Sequence, residues 1–324
     1  MSAPVLRLSV AVCTRRRPEQ LRRALASLAG QQVPPHEVLV VDNDAGSDDV
    51  ARMVEEEFPG MRWVREPVPG LDFARNRALR ECTGDVVAFL DDDAVADPGW
   101  AGAIRETFAD PAVAACTGRV KPLMLDTEAQ RLFEANGGFG RGTVTIRLPE
   151  DRRNTLHGWP APLIAWAVSV GSGCSLAVRR DAALQLGGFD EALDLGPALP
   201  GGGDHDMLWR FLEAGHRIVY NPAVCAQHEH RREVDAAMDQ IVGHQRALIA
   251  WLTKHLVGGG HRPSIAAFLG WRLLKPGVRL ARRVAGLDPL PAAVLFRMWI
   301  GCWRGLGAYP VALRIAARRR AEAA

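Results

Sequence analysis

No two of the six cysteines form a C-x-x-C pair, and no His/Cys grouping has the spacing of a zinc site. A structural zinc is therefore not expected. The N-terminal segment "MSAPVLRLSVAVCT" carries Arg7 inside its apolar part and lacks the apolar core of a secretory signal. It reads as a first strand, and Cys13, Cys82, Cys116, Cys174, Cys225 and Cys302 as separate reduced thiols. A membrane span needs about 20 consecutive apolar residues. The longest uncharged stretch, "WPAPLIAWAVSVGSGCSLAV" from Trp159 to Val178, is interrupted by Pro160, Pro162, Gly171, Gly173 and three serines. It reads as a loop followed by a buried strand. There is no internal repeat and no low-complexity run.

What is present is ordinary globular composition, 48% hydrophobic and 24% charged over 324 residues, enough for one large domain and an appendage. Charge is unevenly placed. The segment from His261 onward holds eleven arginines and one lysine against Asp288 and Glu322, a net +10; the chain as a whole is +3, so the remainder carries −7. An acidic body with a basic tail argues against a broad nucleic-acid surface, and no nucleic-acid partner is expected.

The first 120 or so residues alternate between β-type runs ("LRLSVAVCT", "EVLVVD", "MRWVRE", "DVVAFLD") and helical ones ("PEQLRRALASLAGQ", "SDDVARMVEEEF", "FARNRALREC"). Such alternation predicts an α/β fold with a mostly parallel sheet and helices on its faces. Ligands of such sheets bind beyond the carboxyl ends of the strands. Three polar clusters fall at those ends: "CTRRRP" (13–18), "DNDAGSDD" (42–49) and "DDDA" (91–94). Beyond them the pattern predicts a helix near 99–108, strands near 112–122 and 173–180, and a helix and strand over 201–222. From about Val234 it predicts helices to the end, broken by Pro263, Pro276, Pro289, Pro291 and Pro310.

Three consecutive aspartates close an apolar strand. Two unit charges about 4 Å apart repel by roughly 4 kcal/mol at an effective dielectric near 20. In extended chain Asp91 and Asp93 share one side and Asp92 takes the other. Two carboxylates on one side suit a hard cation, Mg²⁺ or Mn²⁺; a solvated turn is the plainer alternative. In "GGGDHDMLWRFLEAG", Asp204 and Asp206 open a helix, where either could be a simple cap or a general base. "AQHEH" sets His228 and His230 two apart after a strand, with metal or substrate binding as one option.

Seven segments in order, "VAVCTRRRPEQLRRALASL", "VLVVDNDAGSDD", "PGLDFARNRAL", "GDVVAFLDDDAVADPGW", "GSGCSLAVRRDAALQLGGFDE", "GGGDHDMLWRFLEAG" and "NPAVCAQHEHR", resemble the family 2 glycosyltransferases of the GT-A fold. The resemblance spans roughly residues 6–250. It implies a GT-A catalytic domain over 1–232, with a donor half over about 1–122 and an acceptor half over 123–232, followed by a helical basic region, 233–324. It implies an inverting transfer of a hexosyl or deoxyhexosyl group from a nucleoside diphosphate sugar to an acceptor hydroxyl. Thr14, Arg16, Asn43, Arg75, Asn76, Asp91 and Asp92 are expected at the donor; relatives commonly have aspartate in place of Asn43. Asp93 and His228 are expected to hold Mg²⁺ or Mn²⁺, in a DxD-type motif. Asp204 is the expected catalytic base, although Gly203 replaces the acid that often precedes it. Trp166, Gly173, Asp206 and His230 are acceptor-side candidates.

Two other readings remain. A nucleotidyltransferase of similar fold would carry a Gly-rich loop after the first strand, which "CTRRRPEQ" lacks. An inactive sugar- or lipid-binding module has only the glycine before Asp204 in its favour. The tail mixes Trp271, Trp299 and Trp303 with arginines at helical spacing, which suits an interfacial helix on anionic lipid. Packing on the catalytic domain is the alternative. The expected setting is cytoplasmic, peripheral at the inner membrane face, with a lipid-linked or cell-envelope glycan as acceptor.

Overall fold

The protein is described from a computed structural model covering residues 6–152, 155–156 and 159–323. The opening of the expected first strand segment, residues 1–5, lies outside these. The elements in order are β1 (Leu8–Thr14), α1 (Pro18–Ala29), β2 (Glu37–Asp42), α2 (Asp49–Glu57), β3 (Arg62–Arg65), α3 (Leu71–Glu81), β4 (Val86–Leu90), β5 (Ala94–Ala96) and α4 (Trp100–Thr107). They continue with β6 (Val113–Pro122), α5 (Glu128–Ala135), β7 (Ile146–Leu148), the ribbon β8 (Thr155–Leu156) and β9 (Trp159–Pro160), α6 (Leu163–Val170), β10 (Ser175–Arg179) and α7 (Arg180–Gln185). The last are α8 (Gly203–Glu213), β11 (Arg217–His228), α9 (Val234–Gly258), α10 (Arg262–Val284), α11 (Ala292–Gly305) and α12 (Ala308–Ala323).

One nine-stranded sheet runs β3-β2-β1-β4-β10-β6-β11-β5, with β7 also on β11. The first four strands are parallel to their neighbours; β10 runs opposite to β4 and β6. Strand β11 is parallel to β6 and antiparallel to β5 and β7. Six strands thus share one direction, as the alternation predicts. Strand β4 has all five side chains buried because helices cover both faces. Helix α1 begins with Pro18 at its first turn and buries Leu21, Ala24, Leu25 and Leu28, one face at helical spacing. Separate apolar cores lie on the two sides of the sheet, and a third joins α5 to α9 and α11 through Phe133, Ile241 and Leu295.

Three local expectations change. "LIAWAVSV" is a helix, α6, rather than a loop. Ala94–Ala96, too short to read as a strand, is β5. Pro276 does not end a helix; it sits buried inside α10. Proline there deprives the Arg272 carbonyl of its partner. The Cys302 thiol of α11 reaches that carbonyl at 3.9 Å. The tail is packed on the body: Ile265, Leu269, Cys302, Ala312 and Ala316 belong to the main core, and Arg319 Nη1 donates to the Pro69 carbonyl at 2.6 Å. None of the described helices is long and apolar enough to cross a membrane.

Candidate active site

A cavity of about 1570 Å³ opens beyond the carboxyl ends of β1, β2 and β4, where Thr14, Asn43 and Asp91–Asp93 line it together. The other side is lined by Arg141, Trp166, Gly173 and Asp204, and by Phe268, Trp271, Arg272 and Lys275 of α10.

At the acidic end the three aspartates form not the extended chain expected but a turn between β4 and β5, closed by the Ala94 amide donating to the Asp91 carbonyl at 3.1 Å. Asp92 turns inward, accepting from Thr14 Oγ1 at 2.8 Å and Arg17 Nη1 at 3.0 Å. The same Arg17 Nη1 donates to Asp93 Oδ2 at 2.9 Å, and Asp91 and Asp93 each have an oxygen within 4.8 Å of the other and of a His228 nitrogen. Strand pairing explains the meeting: β5 lies against Ala226–His228, with Ala94 opposite His228, and the Glu229 amide donates to the Asp93 carbonyl at 2.9 Å. His228 Nε2 is 3.1 Å from Asp93 Oδ1. Burial opposes ionisation of Asp93, but His228 and Arg17 override it and hold the carboxyl well below its ordinary range. Burial pushes Asp91 up to about 6 despite the Arg75 charge. Burial disfavours the His228 cation, yet Asp93 raises its pKa. Two carboxylates and an imidazole are a donor set that fits Mn²⁺ or Mg²⁺.

Behind His228 lies a second layer. Its Nδ1 is 3.1 Å from His230 Nδ1, and His230 Nε2 is 2.8 Å from Glu134 Oε1. Phe133 and Phe139 flank these rings. With His230 donating from Nε2 to Glu134, its Nδ1 accepts from His228 Nδ1–H, which leaves His228 Nε2 facing the aspartates. His230 thus supports His228 and does not line the cavity.

At the opposite end Asp204 stands in the first turn of α8, which starts after Gly202 at φ +105°. Its Oδ1 accepts from the His205 amide at 2.8 Å. Burial opposes its ionisation, but His205 and Arg75 hold the pKa below the usual carboxylate value. It is ionised at neutral pH and free to accept a proton-sharing hydrogen bond. Arg75 is buried, with Nη1 donating to Asp72 Oδ1 at 3.0 Å and 3.5 Å from Asp194 Oδ2. Those two acids outweigh desolvation and raise its pKa, so it stays charged. Gly173 leaves room for this guanidinium, since a Cβ there would sit 2.7 Å from Arg75 Nη2 and 3.5 Å from Asp204 Oδ2. Gly203 has a similar reason: a Cβ would collide with the Asp72 carboxylate. The acid missing from position 203 is thus matched by one reaching the same space from α3.

Several expected site residues lie elsewhere. Asn43 lines the cavity, but its amide is engaged with the Glu66 and Val68 carbonyls and the Gly70 amide, so it shapes the 66–70 loop. Asn76 bonds Phe189 and Glu191 and is not on the cavity wall. Arg16 pairs with Asp44 in a separate small surface pocket. Asp206 is fully buried on the far side of α8, paired with Arg210, Lys254 and His255. Helical spacing accounts for it: two residues along α8 turn a side chain to nearly the opposite face. The sequence reading missed Arg17, Asp72, Asp194, Arg141 and the cavity wall of α10. "TRRRP" marked the arginines as a group without telling which one would meet the aspartates.

The description "Glycosyl transferase family 2" matches residues 9–183. The succinoglycan biosynthesis protein ExoM of Rhizobium meliloti is 32% identical over 267 residues, 80% of this chain and 75% of ExoM. The pre-mycofactocin glycosyltransferase of Mycobacterium tuberculosis is 29% identical over 290 residues, 85% of this chain, which spans only 54% of that protein's length. The glucosyl-dolichyl phosphate glucuronosyltransferase of Haloferax volcanii is 26% identical over 71% of this chain and 72% of its own. Among solved structures, the mannosyltransferase PcManGT of Pyrobaculum calidifontis, in complex with GDP-Man and Mn²⁺, superposes with TM-score 0.58 at 20% identity, over 96% of this chain and 86% of that one. GalNAc-T7 with UDP, GalNAc and Mn²⁺ gives 0.53 at 15%, over 76% and 48%. The two structures establish the GT-A fold, and the family match and the ExoM alignment establish that this chain belongs to glycosyl transferase family 2.

Proposed function

We propose that the protein is an inverting, metal-assisted glycosyltransferase that moves a sugar from a nucleoside diphosphate sugar to an acceptor hydroxyl. The observation that carries this reading is one cavity lined at one end by Asp91, Asp93 and His228 and elsewhere by the ionised Asp204. Asp91, Asp93 and His228 would hold Mn²⁺ or Mg²⁺, a Lewis acid for charge gathering on the departing diphosphate. Asp92, fixed by Thr14 and Arg17, supports the loop that presents its neighbours. Asp204 accepts the proton of the acceptor hydroxyl as that oxygen attacks the anomeric carbon from the face opposite the leaving group. A single displacement of this kind inverts the anomeric configuration. His205, Arg75 and Arg141 keep Asp204 ionised against its desolvation. An inactive module is less well supported, since Asp72 fills the space that the glycine before Asp204 left open.

The acceptor proposed is a lipid-linked or envelope saccharide, at the cytoplasmic face of a membrane. Its support is partly the relatives, a succinoglycan biosynthesis protein and an enzyme named for glucosyl-dolichyl phosphate. The rest comes from the tail. Phe296, Ile300 and Trp303 of α11 are exposed at i, i+4 and i+7, and Leu274 and Val278 are exposed on α10. An apolar stripe among arginines suits the headgroup region of an anionic bilayer. Trp271 is not part of that stripe, because it lines the cavity. A thermal-shift screen of nucleoside diphosphate sugars with Mn²⁺ tests the donor half of this reading. Metal-dependent stabilisation by one of them is expected, and no response to any would contradict it.

A further inference from the structure

Helix α10 gives the cavity an unexpected wall. Phe268, Trp271, Arg272 and Lys275 all line it, and their spacing of three, four and seven residues places them on one helix face. Two of the four are cations. The third basic residue of this run, Arg279, is neutralised by Asp288 through two hydrogen bonds of 2.7 and 2.9 Å. Asp239, an acid on the same cavity, is taken by Arg297.

Arg272 and Lys275 have no carboxylate within ion-pair distance among the described residues. Arg272 Nη2 donates to the neutral Gln245 Oε1 at 2.7 Å, and its Nε is buried without a partner. Lys275 is desolvated and faces only the positive charges of Arg272 and Arg279, and its pKa is pushed down to about 8. Withdrawing two neighbouring cations from water without a counter-charge is unfavourable, and such arrangements are common where a ligand supplies the missing charge. The other acids of the cavity, Asp91, Asp92, Asp93, Asp194 and Asp204, are engaged with one another, with Arg17 and His228, or with Arg75 and His205.

We propose that Arg272 and Lys275 form a subsite for an anionic group, a phosphate or a carboxylate, carried by the acceptor. The proposal rests on the glycosyl-transfer reading, in which the donor diphosphate belongs at the Asp93 and His228 end. The guanidinium offers a planar, delocalised charge, the ammonium a point charge, and Phe268 and Trp271 on the same wall give it apolar and aromatic character suited to a sugar or the start of a lipid chain. A neutral acceptor would leave both cations uncompensated. The C-terminal region would thereby select substrate as well as complete the fold.

The test is calorimetric titration of the full chain, saturated with Mn²⁺ and the nucleoside diphosphate that binds it best, using glucose 6-phosphate, glucuronate and glucose as probes. At least one anionic probe should bind ten-fold or more tightly than glucose. Preference for glucose 6-phosphate assigns the group as phosphate, and preference for glucuronate as carboxylate. The double variant Arg272→Gln, Lys275→Met should lose the preference, Lys275→Arg should keep most of it, and nucleoside diphosphate affinity should stay within two-fold in both. Equal binding of all probes by the wild type, or an undiminished preference in a folded double variant, would overturn the proposal. Loss of nucleoside diphosphate affinity in the double variant would reassign the cations to the donor and also overturn it. Failure of the wild type to bind any nucleoside diphosphate with Mn²⁺ would instead sink the glycosyl-transfer reading on which it rests.

Discussion

His228 Nε2 lies 3.1 Å from Asp93 Oδ1, two residues brought together by the pairing of β5 with the end of β11. If they hold a divalent ion with Asp91, Asp93→Ala and His228→Ala should each weaken Mn²⁺-dependent nucleoside diphosphate binding by ten-fold or more. His230→Phe, which removes the support of the His228 ring, should fall in the same direction, within the 10- to 100-fold typical of outer-layer partners of a metal ligand. Titration calorimetry with and without Mn²⁺ reads both effects. A wild-type gain in affinity on adding Mn²⁺ in all three variants would remove the metal assignment.

Gly203 and Asp72 compete for one volume. Gly203→Ala should destabilise the fold by about 1–3 kcal/mol, the usual range for overpacking, and lower activity by shifting the Asp72–Arg75 pair. In an Asp72→Ala background the same Gly203→Ala change should cost less, because the clash has gone, although Asp72→Ala itself removes a partner of Arg75. A double-mutant cycle in urea gives the coupling; strict additivity would show that the two positions do not meet.

Asp206 should be structural. It is fully buried against Arg210, Lys254 and His255, and Asp206→Asn should cost about 3–5 kcal/mol by leaving buried cations unpaired. Burial opposes ionisation of Asp206, but the His255 hydrogen bond and the Lys254 and Arg210 charges hold its pKa below the unfolded value of 3.8. Its contribution is therefore complete above that value and is lost as pH falls through the folded one. Urea melts should show the gap between wild type and variant steady at pH 6–8 and narrowing below about pH 4. A gap that widens in acid would contradict the assignment.

Membrane association should depend on the exposed stripe of α11 rather than on the tail as a whole. Removing residues from His261 would also strip Ile265, Leu269 and Cys302 from the main core, so truncation confuses binding with unfolding. The triple variant Phe296→Ser, Ile300→Ser, Trp303→Ser should stay folded and lose sedimentation with anionic vesicles, while neutral vesicles bind neither protein well. Undiminished sedimentation of the variant would refute the interfacial role.

The sequence made the first 120 or so residues legible because each strand and helix there carries its own period, as in the fully apolar "VVAFL" of β4 and the one-sided apolar face of α1. The pairing of Asp93 with His228 could be guessed from the resemblance, but not the register that brings it about. Strand β5 has three residues and exists only because β11 pairs with it. Helix α6 is almost uniformly apolar, so neither period marks it. The substitution of Asp72 for an acid at 203, and the entry of α10 into the cavity, depend on packing between segments far apart in the chain. Local patterning carries no such information. Asp206 and His230 were drawn toward the cavity by their proximity in sequence to Asp204 and His228, although the helix turn and the second layer put them behind it.

The most direct test of the central claim is single-turnover transfer by Asp204→Asn, with the donor affinity of the same protein measured alongside. A general base at the acceptor predicts loss of transfer by at least a thousand-fold, within the scale of general-base catalysis, with nucleoside diphosphate affinity in Mn²⁺ unchanged within two-fold. Transfer at the wild-type rate would contradict it.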